Sequence, residues 1–437
     1  MRIKHVLAEE IGDALDADVT AQDIEEPPSM EQGDYAFPVM GVADNPRDAA
    51  EAAGEELAEV APVDRVEVAG PGYLNVFLDR AAFADQVAKM LSDSTMGVEQ
   101  QSGKMLIEFS QPNIAKPMHV GHLRNNCLGD ALQRIMRFCG YDVTSDNYIG
   151  DVGTQFGKVI YGHRNFDVDA SFDTEPMEYM LDIYVKFHEK VEETPEIEEE
   201  AAEWTKKIEE GDEEAVELWE KFREASIEYQ KEEYERLGVE FDRISGESTV
   251  MEESRQLILE LVEEGVLDRD EDGSVFYEFD EEDLPGTVLL RSDGATLYLT
   301  RDIYNLKKRK EEGFDYNLYV VASEQELHFK QLFQIAEDLG IAGEGFQSEH
   351  LSYGMLSLPD GSMSTREGRV VRQSDVLDEA VERASEKAEE GLERTVTAAE
   401  KIGIGAVKYA VLEVSRNKDI EFDWDRVLSF EGDSGPY

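Results

Sequence analysis

The stretch IEFSQPNIAKPMHVGHLRNNCLGDALQRIMRFCG, residues 107–140, decides the fold. The apolar run that ends at Ser110 reads as a strand, MLIEFS over 105–110. Pro117 suits the first turn of a helix, where an N–H has no partner to lose, and Gly140 suits its stop. Between them Leu123, Leu128, Ala131, Leu132, Ile135 and Cys139 recur at helical spacing and predict a buried stripe. Strand, loop and helix in that order open a parallel α/β sheet. His119 and His122 fall at the start of the helix, where free backbone N–H groups and the helix dipole favour an anion. Two imidazoles there suit a phosphate whose charge shifts during attack. The same spacing also serves a structural or incidental metal pair; HExxH, the zinc-protease pattern, is absent.

Downstream, residues of about 174–236 predict acidic helices whose inner face carries Trp204, Ile208, Val216, Leu218 and Phe222. Strand-like SVFYEF, TVLLRS, NLYVVAS and HLSYGMLSL follow, and the helices between them predict βαβ units and a mainly parallel sheet. One of those helices, TLYLTRDIYNL (296–306), puts Tyr298 and Asp302 on a single face. Such a pair is ordinary on a helix surface, and it is also able to grip a planar cation. A last helical stretch (about 375–417) leads to EFDWDRVLSFEGDSGPY; its Gly403 and Gly405 lie inside a helical pattern, which argues against a dinucleotide loop. Upstream, residues 1–98 predict a small α/β module, with strands VDRVEVAG and YLNVFL about a turn at Gly70-Pro71-Gly72 and a helix over Arg80–Leu91. The expected division is 1–98, then a larger α/β region 99–374 with the acidic insertion, then a helical 375–437.

A chain of 437 residues is too long for one core, and 41% apolar residues is enough for ordinary packing. No run approaches the length of a membrane span and the start lacks a signal peptide's apolar core, so a cytoplasmic protein is expected. The two cysteines, Cys127 and Cys139, share one helical segment without metal-ligand neighbours and read as core residues. With 99 acidic against 42 basic residues the formal net charge is -57. Taken alone, that opposes nucleic-acid binding. It also fits a halophilic chain adapted to molar salt, where the Debye length falls to about 3 Å and repulsion is screened.

HVGH resembles the HIGH motif of class I aminoacyl-tRNA synthetases. PNIAKPMHVGHLR, GDVGTQFG (150–157) and SEQELHFKQL (323–332) resemble the arginyl branch in particular, and the likeness runs the length of the chain. It implies a Rossmann-like catalytic domain with a helical insertion. It also implies a small N-terminal domain that touches the outer corner of a tRNA. The implied substrates are ATP with its Mg²⁺, L-arginine and tRNA(Arg), used by a monomer with no metal site of its own. His119, Gly121 and His122 would meet the ATP phosphates. So would the loop GSMSTREGRVV (361–371), through Ser362, Met363, Ser364, Thr365 and Arg366. Ser362 stands where the family's KMSKS loop has its first lysine, and Lys116 is placed to supply that ammonium. The resemblance puts Tyr298 and Asp302 around the guanidinium of arginine, and Glu108, Asn113 and Gln325 around its amino-acid end. Asp151 and Gln155 match the family pattern, whereas Val152 replaces its usual Trp. The sequence breaks off where the family enters an anticodon-reading domain, which is expected to be missing. The competing readings are a non-catalytic arginine- or tRNA-binding paralogue and another adenylyltransferase with a HIGH-type site.

Overall fold

The strand and helix expected within 107–140 are both present, and the chain winds a sheet outward from them. The structure, a computed structural model, describes residues 2–280, 284–343, 345–357, 371–388, 396–429 and 434–435. It divides into two compact units, residues 1–100 and 101–437.

In the first unit, helices α1 (Arg2–Leu15) and α2 (Pro46–Leu57) accompany strands β1 (Tyr35–Pro38), β2 (Val63–Ala69) and β3 (Tyr73–Leu78). The sheet is antiparallel in the order β1-β3-β2. Leu7, Ile11, Leu57, Leu74 and Val76 close a small core of their own. Asp79 then caps α3 (Arg80–Ser92) by accepting from the N–H groups of Ala81 and Ala82, both at 2.8 Å.

In the second unit β4 (Lys104–Glu108) is followed by α4 (Val120–Phe138) and β5 (Asp142–Ile149). Three helices, α5 (Thr154–Asn165), α6 (Pro176–Glu193) and α7 (Ile197–Glu209), precede the long α8 (Glu213–Leu237). Then come β6 (Arg243–Gly246), α9 (Met251–Glu263), β7 (Val275–Tyr277), β8 (Thr287–Leu290), α10 (Tyr298–Glu311), β9 (Tyr316–Ala322), α11 (Glu326–Asp338) and β10 (Gln347–Tyr353). The chain continues through β11 (Leu356–Ser357), α12 (Gln373–Ala388), α13 (Val396–Leu412), β12 (Ile420–Glu421) and α14 (Trp424–Val427). The main sheet runs β10-β9-β4-β5-β6 and every neighbouring pair is parallel. Its order reverses between β4 and β9, so a crevice opens beyond their carboxyl ends, where Glu108 and Tyr319 stand side by side.

The acidic stretch folds as α6–α8. Phe222 is buried at its centre, with Trp204, Ile208 and Leu218 packed against the same cluster as Ile114, Phe156 and Ile160. Two sequence expectations give way. SVFYEF and TVLLRS pair with each other, as the antiparallel hairpin β7–β8, with isolated bridges to Arg269 and Thr296, and stay outside the main sheet. A short apolar run records burial but not which sheet supplies it. The stripe expected along α4 holds only in part: Leu123 is buried and Leu128 and Leu132 pack against the core, but Ile135 is 56% exposed, while Arg124, Asn125, Asn126, Asp130 and Gln133 are buried beside Leu123 and Cys127. That face is polar because the ends of two other strands and a helix press against it and supply partners. Asn125 Nδ2 donates to the Val320 carbonyl at 2.9 Å, and Gln133 Nε2 to that of Glu240 at 3.0 Å. Cys127 is buried and Cys139 half-buried, both as free thiols.

Candidate active site

Helix α4 begins later than Pro117 suggested, at Val120, with His119 as its N-cap. The loop between β4 and this cap is held in a strained form. Ser110, Gln111 and Ala115 adopt positive φ of 77°, 47° and 61°, conformations that side-chain-bearing residues keep only when surrounding contacts enforce them. Here the Ser110 N–H donates to Asn125 Oδ1 at 2.6 Å, its hydroxyl meets Tyr234 at 2.7 Å, and the Ala115 N–H donates to Ser226 Oγ at 3.0 Å.

The expected backbone anion site at the helix start is not there. The Val120 N–H donates to the Val371 carbonyl at 3.1 Å, the Gly121 N–H to His119 Nδ1 at 3.1 Å, and the His122 N–H to the His119 carbonyl at 2.8 Å. Gly121 permits this, since a Cβ there would stand 2.9 Å from His119 Cε1. The imidazoles take over as donors. His122 Nδ1 accepts the His119 N–H at 3.1 Å, so each ring accepts at Nδ1 and carries its proton, when neutral, at Nε2. Burial pushes both pKa values down, assisted at His119 by the Lys116 ammonium and at His122, which lies well below the usual range, by His119. The rings lie 4.0 Å apart, centroid to centroid. The pair is therefore two neutral N–H donors side by side. Lys116 stacks its Nζ 4.5 Å over the Tyr184 ring while its charge reaches His119.

Residues 361–370, including Ser362, Met363, Ser364, Thr365 and Arg366, lie outside the described residues. The chain from Val371 onward is fixed to the histidine segment. His119 and Arg372 form a β-bridge, the Gln373 N–H donates to the Met118 carbonyl at 2.9 Å, and Arg372 forks onto Glu178 of α6 at 2.7 and 3.1 Å.

Across the crevice Tyr298 opens α10 and is 56% exposed. Asp302, one turn on, is half-buried, and its Oδ2 meets His328 Nε2 at 2.7 Å. Its charge is felt by Glu108, Tyr148, Glu247 and Tyr319, which places it among the carboxyl ends of β4, β5, β6 and β9. Glu108 is buried and already engaged, by the Arg309 guanidinium and by Gln111 Nε2 at 2.9 Å. Asn113 is exposed and bridges to Gly150, and Gln325 is exposed in a short turn after β9. Asp151 is fully buried as a hub. It accepts from Arg223 at 2.8 Å and from the N–H and hydroxyl of Ser248 at 2.8 and 2.7 Å. Val152 and Gln155 are half-buried next to it.

Sequence reasoning missed Glu247. It is buried 3.1 Å from Arg301, whose guanidinium in turn lies 4.8 Å over the Tyr298 ring. Burial pushes its carboxyl up to about 8, against the pull of Arg301 and with Asp302, Asp151 and Glu108 adding to the rise. Tyr148, its hydroxyl buried without a hydrogen bond, and His328 were missed as well. A signal was available for His328, in SEQELHFKQL, but none for Glu247.

Neutral imidazole donors and a carboxylate-lined crevice at a strand-order reversal make a place for an anionic group beside a cationic one. A family model described as "tRNA synthetases class I (R), catalytic domain" matches residues 86–424, and one described as "Arginyl tRNA synthetase N terminal domain" matches residues 1–78. The chain belongs to the arginyl-tRNA synthetases. The arginine–tRNA ligase of Clostridium perfringens is 38% identical over 100% of this chain and 79% of its own length. That of Halothermothrix orenii is 39% identical over 100% and 78%. The solved arginyl-tRNA synthetase of Thermus thermophilus superposes with a TM-score of 0.77 at 24% identity, covering 100% of this chain and 79% of that one. That of Plasmodium falciparum gives 0.73 at 20% identity, covering 99% and 78%. These two carry the fold: a class I synthetase catalytic domain. In open parallel α/β sheets ligands bind in the crevice at such a reversal of strand order, which in this arginyl-tRNA synthetase lies between β4 and β9.

Proposed function

We propose that this chain joins L-arginine to tRNA(Arg) with ATP, working as a monomer in the cytoplasm, and that Asp302 is the acceptor that selects the arginine side chain. The observation that carries the assignment is a difference in pairing. Glu108, Asp146, Asp151 and Glu247, the acids around the same strand ends, each face an arginine: Arg309, Arg243, Arg223 and Arg301. Among the described residues Asp302 faces only a histidine, and its Oδ1 accepts no hydrogen bond. A partly buried carboxylate with an oxygen to spare is what a substrate guanidinium needs, and Tyr298 offers a ring face and a hydroxyl beside it.

In this reading Glu108, Asn113 and Gln325 receive the amino-acid end of arginine. Glu108 acts through the negative field of a carboxylate already tied to Arg309, and Asn113 and Gln325 through exposed amides. An arginine carboxylate oxygen attacks the α-phosphorus, the bond to the β-phosphate breaks, and pyrophosphate leaves with its Mg²⁺. A terminal ribose hydroxyl of the tRNA then attacks the activated carbonyl and AMP leaves. His119 and His122 donate from Nε2 to the charge that builds on the phosphate oxygens, the kind of fixed donor whose loss costs about 3 kcal/mol of barrier. Lys116, and the residues Ser362 to Arg366, complete the phosphate contacts. The magnesium travels on the triphosphate; among the described residues no group of three or more His, Cys, Asp or Glu forms a metal site.

Arginine-dependent ATP–pyrophosphate exchange, assayed with tRNA(Arg) in concentrated potassium chloride, tests the proposal. Exchange that is lost in His122→Ala and needs far more arginine in Asp302→Asn is the expected result. Exchange indifferent to Asp302→Asn refutes the pocket.

A further inference from the structure

Glu108, Asp146, Asp151 and Glu247 at this end of the sheet are matched to arginines, Asp302 is not, and the difference has its own logic. An arginine opposite Asp302 would cancel the charge that a substrate guanidinium has to meet. A histidine need not. It donates one hydrogen bond, from Nε2 to Asp302 Oδ2 at 2.7 Å, and leaves Oδ1 without a partner among the described residues. The bond spans two helices, Asp302 on α10 and His328 on the first turn of α11, 26 positions apart in the chain. Nothing else among the described residues hydrogen-bonds the ring; its other contact is an edge-on approach to Phe329, 5.3 Å between centroids. His328 also lines a cavity of about 410 Å³ together with Tyr298, Leu297 and Phe276, a lining that does not include Asp302.

We propose that His328 is a positioning residue for arginine selection: its Nε2–H fixes the plane of the Asp302 carboxylate and occupies Oδ2, so that Oδ1 is left for the substrate guanidinium. The assignment rests on the reading of Asp302 given above. A carboxylate left to rotate meets a planar fork only part of the time, so the ring contributes to affinity without touching the substrate. A cationic side chain at 328 would do the opposite, neutralising Asp302 and competing with arginine.

Titration of L-arginine into the full chain by calorimetry, in concentrated potassium chloride, measures the effect directly. His328→Ala weakens arginine binding about tenfold, the loss of one hydrogen bond to a charged group. His328→Gln, whose amide N–H reaches the same oxygen, restores it to within about threefold. His328→Lys binds worse than His328→Ala. ATP binding, titrated separately, stays as in the parent chain. In an Asp302→Asn background the His328→Ala penalty disappears, which a general loosening of α11 would not produce. Arginine binding unchanged in His328→Ala, or a penalty that persists undiminished beside Asp302→Asn, overturns the proposal. Should His328→Ala fail to fold, the ranking of His328→Gln above His328→Lys decides, and equal affinities overturn it. If Asp302→Asn itself binds arginine like the parent chain, the pocket assignment fails first. If that variant binds weakly while His328→Ala binds normally, only the role of His328 falls.

Discussion

Arg124 donates to the Met355 carbonyl at 3.0 Å, from the first turns of the helix that His119 caps to the approach of strand β11. The same guanidinium reaches the carbonyls of Gly354, Arg416 and Lys418, the last at 2.8 Å, and it is 0% exposed. One buried cation thus ties the histidine helix to the segments that lead into both strands of the small β11–β12 pair, through hydrogen bonds to their carbonyls. Removing it takes away the donor to the Gly354 and Lys418 carbonyls, whereas those of Arg416 and Met355 keep the N–H groups of Gly354 and Ile420. Arg124→Met is expected to lower unfolding free energy by at least about 3 kcal/mol in a urea titration. Arg124→Lys, with a charge but no planar fork, should recover less than half of that.

Gly129 of α4 lies against Phe109, close enough that a Cβ would stand 2.1 Å from the ring's Cγ. Phe109 follows Glu108 directly and begins the strained loop. Gly129→Ala is expected to cost about 1–3 kcal/mol through overpacking, although alanine favours helices. It should also lower exchange activity at saturating arginine, because the displaced ring moves the loop. A variant as stable and active as the parent contradicts the close packing.

The buried imidazoles give stability a definite pH dependence. His119 and His122 have lowered pKa values in the folded chain, so below about pH 6.5 the unfolded chain takes up protons that the folded one refuses. Stability present above that value is lost as pH falls, with His163 and His350 acting in the same direction. Glu247 acts in the opposite sense. Its raised value of about 8 means that stability present below the ordinary glutamate range is lost as pH climbs towards 8. Melting temperatures from pH 5 to 9 should show the acid limb flattened in His122→Asn and the alkaline limb flattened in Glu247→Gln.

A formal charge of -57 on 437 residues makes self-repulsion a large term at low salt. Screening shortens from about 10 Å at 0.1 M to about 3 Å at 1 M. The melting temperature is expected to climb steadily with potassium chloride across that range, and binding of tRNA, itself an anion, should hold up better than the usual salt dependence allows. A melting temperature that falls with salt would show that the acidity is not an adaptation to it.

Much of this was legible beforehand for one physical reason: the informative groups were close together in the chain. The strand before Ser110, the helix after His119 and the shared face of Tyr298 and Asp302 all follow from local spacing. The features that spacing missed depend on contacts between distant segments. Glu247 and His328 reach Asp302 only because β6 and β9 end at the same edge of the sheet as β4 and β5. The polar inner face of α4 was read as apolar because Ile135 fits the helical repeat, yet Ile135 itself stands exposed. The helix terminus was expected to offer free N–H groups, and Val371 and the His119 ring had already taken them.

The inner surface of α4 has a further consequence. Oily surfaces slide over one another at little energetic penalty, because any methyl group satisfies any other. Asn125, Asn126 and Gln133 are less forgiving: each donates to an acceptor on another segment, at Val320, Gln373 and Glu240, and a rotation of the helix by a few tens of degrees would break all three at once. The helix that carries the two imidazoles at its start is thereby keyed like a tumbler lock, with only one angle at which it seats.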